Sequence, residues 1–149
     1  MKAPDFSLQD QTDTTRKLSD YAGKWLVVYF YPKDDTPGCT KEACSFRDSG
    51  AVFAEQDVAV VGISADSVAS HAKFAEKYHL TFTLLSDPTK ETIRAYGSWG
   101  EKSMYGKLFE GIIRKTYLIS PEGEIAKEYP KVTPDKHAEQ ILKDLEELR

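Results

Sequence analysis

Residues Trp25-Leu26-Val27-Val28-Tyr29-Phe30-Tyr31 form an unbroken apolar run, almost entirely β-branched or aromatic. Such a run is too short for a typical helix and too continuously apolar for a strand with one wet face. It therefore reads as a central strand buried on both sides. Asp57-Val58-Ala59-Val60-Val61-Gly62-Ile63-Ser64 repeats that character. Between the two runs, Cys39, Ala43, Phe46 and Phe53 recur at the spacing of one helix face. Strand, helix, strand is a βαβ crossover, so the two strands are expected to be parallel and neighbours or near-neighbours in one sheet.

The rest of the chain extends this plan. From Ser67 to His79, Val68, Ala72, Ala75 and Tyr78 keep helical spacing, with Lys73, Glu76 and Lys77 on the outer face. Phe82 to Leu85 reads as a short strand. Asp87-Pro88 then reads as an N-cap with proline at the first helical position, ahead of a short helix over 90–96. Lys115–Ile119 and Glu124–Tyr129 flank the turn Ser120-Pro121-Glu122-Gly123 and predict an antiparallel hairpin. Thr133-Pro134 opens a closing helix whose apolar face is Ala138, Ile141, Leu142, Leu145 and Leu148. Gly97 to Gly111, with Trp99, Met104, Tyr105, Leu108 and Phe109, reads as an ordered loop. The expected fold class is α/β, a mixed central sheet flanked by helices, in one domain over residues 1–149.

Composition narrows the function. The chain has 149 residues, 40% of them apolar, enough for a core without disulfide or metal staples. Twenty Lys and Arg stand against twenty-four Asp and Glu, a net charge of −4 with the signs interspersed, which argues against nucleic acid as a partner. No apolar run approaches the roughly 20 residues of a membrane span. The N-terminus lacks a basic start followed by an apolar stretch, so a cytoplasmic location is expected. In a reducing compartment the two cysteines, Cys39 and Cys44, suggest chemistry rather than a staple.

Cys39 falls where the first strand gives way to the first helix, at the sheet edge that ligand sites favour. Thr36 before Pro37 is a natural N-cap and places Cys39 at the third helical position. Its sulfur would there lie near unpaired backbone N–H groups and the positive end of the helix dipole, a setting that favours a thiolate. The capping grammar alone marks only a helix start, and a cysteine on an apolar stripe can equally be a small core residue. Cys44, five residues on, points about 140° away around the helix and ~7.5 Å along it. Joining the two sulfurs therefore requires the first turns of the helix to unwind. Metal binding is disfavoured, because His71, His79 and His137 show no ligand spacing with the cysteines or with each other. Four residues separate the cysteines, so the Cys-x-x-Cys motif of general disulfide oxidoreductases is absent.

The string Pro32-x-x-x-Thr36-x-x-Cys39, with Cys44 five beyond, resembles the peroxiredoxins, and specifically the bacterioferritin-comigratory-protein or PrxQ subfamily. The likeness runs from Ala3-Pro4-Asp5-Phe6 through Tyr96–Lys102 to Gly111–Ile119 and covers nearly the whole chain. It implies a thioredoxin-like fold and a thiol peroxidase acting on hydrogen peroxide and organic hydroperoxides with no cofactor and no metal. By the same resemblance Cys39 matches the peroxidatic cysteine, Cys44 the resolving cysteine, Thr36 the threonine whose hydroxyl contacts thiolate and peroxide, Pro32 the shielding proline and Arg114 the arginine that completes the site. Glu42 matches a frequent family acid that would orient Arg114. The resemblance further implies an intramolecular disulfide recycled by thioredoxin or a glutaredoxin-like dithiol protein, in a monomer. Two other readings are a general thiol-disulfide oxidoreductase and a non-catalytic binding domain on the same fold. The first has no use for a peroxide-binding arginine, and the second needs neither that arginine nor the motif.

Overall fold

The computed structural model describes residues 1–149 except for the side chain of Met104, which the sequence reading placed in the 97–111 loop and which lies outside the described residues. The two apolar runs form β3 (Trp25–Phe30) and β4 (Val58–Ser64), parallel and adjacent, with Trp25 opposite Val58 and Phe30 opposite Ile63. A seven-stranded mixed sheet is built around them. With β1 (Ser7–Asp10), β2 (Thr15–Lys17), β5 (Thr83–Ser86), β8 (Lys115–Ile119) and β9 (Ile125–Tyr129), its order is β2-β1-β5-β4-β3-β8-β9. This is the expected α/β class, and the expected hairpin is β8–β9.

Residue alternation along β3 sends side chains into two separate cores. Val27 and Tyr29 pack with Cys39, Ala43 and Phe46 of α1 (Pro37–Asp48), Phe53 of α2 (Gly50–Glu55), Phe74 of α3 (Val68–Tyr78), and Ala138, Ile141 and Leu145 of α5 (His137–Leu148). Leu26, Val28 and Phe30 face the other way, onto Ile93 of α4 (Glu91–Ala95), Tyr96, Ile112 and Tyr117. Helices on both faces explain why β3 tolerates no polar residue. Among the described residues no helix is long and apolar enough to cross a membrane.

Five local expectations need correction. The helical segment after β3 is two helices, because the chain breaks at Ser49 (φ −95°, ψ 5°), so Phe53 reaches the core from α2 instead of continuing the stripe of α1. Asp87-Pro88 does not start a helix. It forms a turn closed by Lys90 N–H to Asp87 O, and the Asp87 carboxylate accepts from the Ile93 amide at 2.9 Å. Thr133-Pro134 likewise lies in a turn, and α5 begins at His137. The buried face of α3 is His71 and Phe74, with Ala72 exposed, because His71 is buried through polar partners that an apolar pattern does not register. Finally, Gly97 to Gly111 is no loop. It contains the hairpin β6 (Trp99–Met104) and β7 (Lys107–Ile112), turning through Tyr105 and Gly106, both at positive φ as a tight hairpin turn requires.

Candidate active site

Because β8 runs antiparallel to β3, with Lys115 opposite Phe30, its first residues lie at the edge where β3 exits towards α1. Arg114, one residue earlier, is thereby brought against the start of α1. Its Nη2 donates to Cys39 Sγ at 3.1 Å and its Nη1 donates to Glu42 Oε1 at 2.6 Å. Cys39 and Glu42 are buried, and the Arg114 side chain keeps 21% of its surface exposed. Gly38 eases this approach, since a Cβ there would stand 3.2 Å from Arg114 Nη2, tighter than an ordinary contact.

Thr36 occupies the N-cap position of α1 in extended geometry (φ −96°, ψ 156°), and Cys39 is the third helical residue, as the spacing predicts. The Thr36 hydroxyl, however, does not cap the helix. It donates to Lys33 O at 2.9 Å, an exposed contact that leaves its oxygen lone pairs free. Thr40 N–H already closes on Thr36 O. Among the described residues no backbone or side-chain oxygen accepts from the Gly38 and Cys39 amides, so two donors and the positive helix end converge where Arg114 also points. Pro32 is half-buried at the start of the 31–36 stretch leading into that turn. Cys44 is half-buried on the same unbroken helix, and both cysteines are free thiols.

Electrostatics couple these groups. Burial pushes the Glu42 carboxyl up to about 7, against the pull of the Arg114 guanidinium, while its second oxygen, Oε2, has no hydrogen-bond partner among the described residues. The Glu42 and Cys39 charges raise Arg114 above its ordinary value, although burial opposes them. Three further neighbours carry no sequence signal. Lys102 of β6 donates to Ile112 O at 2.8 Å, and burial together with Arg114 depresses its amine while Cys39 acts the other way. His137 contacts Thr116 Oγ1 through Nε2 at 2.7 Å, and burial holds its imidazole down to about 4. Tyr29 stacks on Phe46, and its buried hydroxyl has no partner among the described residues. Asp34, Asp66 and His71 bring three potential metal-ligand atoms within 4.8 Å of one another, but those atoms are already engaged in hydrogen bonds.

A permanently charged, multi-donor guanidinium on a buried sulfur and two free amides, beside a hydroxyl whose lone pairs are free, can hold a thiolate and an oxygen it attacks. Residues 1–128 match the model of the AhpC/TSA family. The chain is 48% identical over 147 residues to "Peroxiredoxin Bcp" of Bacillus subtilis, covering 99% of this chain and 94% of that one. A mutant of peroxiredoxin Q from Xanthomonas campestris superposes with a TM-score of 0.91 at 40% identity, covering 97% of this chain and 92% of that one. A second Xanthomonas campestris structure, of bacterioferritin comigratory protein described for its alkyl peroxide reduction activity, has a TM-score of 0.90 at 40% identity over 95% of this chain and 90% of its own.

Proposed function

Since the chain belongs to the AhpC/TSA family and is a peroxiredoxin, a thiol peroxidase on a thioredoxin-like fold, we propose that Cys39 is its peroxidatic and Cys44 its resolving cysteine. The observation that carries this reading is the Arg114 guanidinium, which donates to Cys39 Sγ at 3.1 Å while Glu42 fixes its other end.

The Cys39 thiolate attacks the nearer oxygen of a hydroperoxide. A sulfur–oxygen bond forms, the O–O bond breaks, and the departing oxygen takes a proton to leave as water or an alcohol. Sulfur is oxidised to sulfenic acid and the peroxide is reduced. Donors from Arg114 and the Cys39 amide, joined by the Thr36 hydroxyl once it turns from Lys33 O, stabilise the charge that develops on the leaving oxygen, and Pro32 shields the site from water. The first turns of α1 then unwind. Cys44 attacks the sulfenic sulfur, the S–S bond forms, the S–O bond breaks and water leaves. An external dithiol protein of the thioredoxin or glutaredoxin type reduces the disulfide and returns both thiols.

Hydrogen peroxide and organic hydroperoxides are both accepted on this reading. The second class is supported by the alkyl peroxide activity named for the Xanthomonas campestris relative. Both cysteines lie on one helix, so a monomer is self-sufficient, and two free thiols suit the cytoplasm. The test is NADPH consumption by thioredoxin reductase, thioredoxin and this protein with cumene hydroperoxide. Turnover that vanishes in Cys39→Ser is expected. Turnover that persists in Cys39→Ser would overturn the assignment.

A further inference from the structure

Two consecutive acids in the 31–36 stretch tie it to α3. Asp34 Oδ2 lies 2.7 Å from His71 Nδ1 and accepts from Ser70 Oγ at 2.8 Å, while Asp34 Oδ1 accepts from Tyr31 Oη at 2.6 Å. The Asp34 amide donates to Asp66 Oδ2 at 2.8 Å. Asp35 sits in the left-handed region at φ 58°, unfavourable for a residue with a side chain, and is held there by Lys77 Nζ at 2.7 Å and Tyr78 Oη at 2.6 Å. Hydrogen counting constrains the buried pair. His71 Nε2 faces Leu85 O at 2.9 Å, a group that only accepts, so Nε2 carries a hydrogen. A further hydrogen must then lie between Nδ1 and Asp34 Oδ2. The side chains of His71 and Asp34 are 0% and 4% exposed, so loss of either partner strands polar atoms where water does not replace them.

The peroxidatic helix has two opposed requirements. Attack needs its first turn wound, with Arg114 on Cys39, whereas resolution by Cys44 needs that turn undone. Resting on the two-cysteine reading above, we infer that Asp34 and His71 are positioning residues for the reaction, a latch from α3 that holds the 31–36 stretch, and with it the first turn of α1, in the wound state. The latch touches no reacting atom. It sets the balance between the two steps, so weakening it slows attack and speeds resolution, a split that general loss of structure does not produce.

The experiment uses one equivalent of hydrogen peroxide under rapid quench. Sulfenic acid formation is followed by mass in a Cys44→Ser background and disulfide closure in chains that keep Cys44, each with native His71, His71→Gln or Ser70→Ala. His71→Gln is expected to slow attack about tenfold and to quicken closure about threefold or more, shifts within reach of one lost buried hydrogen bond. Ser70→Ala, which keeps the buried pair and removes one exposed-side donor, is expected to move both rates in the same directions by less, and it carries the test if His71→Gln does not fold. Both steps slowing together, or neither moving, overturns the latch. Absence of sulfenic acid in Cys44→Ser with native His71 overturns the two-cysteine reading itself, and the latch with it.

Discussion

Arg114 Nη2 stands 3.1 Å from Cys39 Sγ although the two residues are 75 positions apart in the chain. The antiparallel pairing of β8 with β3 supplies the proximity, and Glu42, three residues after Cys39 on the same helix, fixes the guanidinium that makes the contact. One planar group thus serves the sulfur and a buried carboxylate at once, a task that a lysine ammonium performs poorly.

Arg114→Lys is expected to slow oxidation of Cys39 by about 10²- to 10³-fold, the effect of removing one charge-stabilising donor from a transition state. Single-turnover oxidation by hydrogen peroxide measures it. A change of less than about threefold would mean that the helix N-terminus suffices alone, a stabilisation well under 1 kcal/mol for the arginine.

Gly38→Ala separates geometry from stability. The new Cβ would lie 3.2 Å from Arg114 Nη2, so the guanidinium must shift by a few tenths of an ångström and strain its contact with Cys39, whereas alanine favours helix over glycine. The expected result is an unchanged or raised melting temperature with oxidation slowed about tenfold, a barrier change of about 1.4 kcal/mol.

Glu42 and His137 act oppositely on stability as pH changes. The Glu42 carboxyl is raised in the fold from 4.5 to about 7, so its contribution is fully present below pH 4.5 and is lost as pH rises through about 7. His137 is lowered from 6.5 to about 4, so its contribution is present above pH 6.5 and is lost as pH falls through about 4. Urea unfolding from pH 4 to 8 is expected to show Glu42→Gln gaining stability relative to the parent as pH rises, and His137→Gln gaining as pH falls. The effects should amount to roughly a few kcal/mol each.

Tyr29→Phe is expected to stabilise the protein. The Tyr29 hydroxyl is buried without a partner among the described residues, and its ring fills the space that Gly62 leaves, where a Cβ would stand 2.7 Å away. Removing the oxygen should relieve roughly 1 kcal/mol and raise the melting temperature by about 2–4 °C. A fall would mean that the hydroxyl is partnered in solution.

What the sequence disclosed follows from which patterns are periodic. The central strands were legible because β3 and β4 are apolar throughout, and the place of Cys39 because Thr36-Pro37 fixes the start of α1. Hairpin β6–β7 was not, since Lys107 to Glu110 are all exposed and show no buried alternation. Asp87-Pro88 and Thr133-Pro134 misled because the same residues serve a turn and a helix start, and only the hydrogen bonds that follow distinguish them. Arg114 and Glu42 were identified through resemblance alone. Neither shows in sequence that it will be drawn under the other's influence, and the buried Asp34–His71 pair is hidden for the same reason: ordinarily exposed residue types become buried by pairing.

The central claim is that Cys39 attacks the peroxide and Cys44 resolves the sulfenic acid that results. The most direct measurement is a thiol count and intact mass on reduced protein after one equivalent of hydrogen peroxide, comparing the parent chain with Cys44→Ser and Cys39→Ser. Rapid loss of both thiols in the parent, a trappable sulfenic acid in Cys44→Ser and slow oxidation in Cys39→Ser are predicted. Retention of both thiols in the parent for as long as an unactivated cysteine persists, or equal oxidation rates in the two variants, would contradict it.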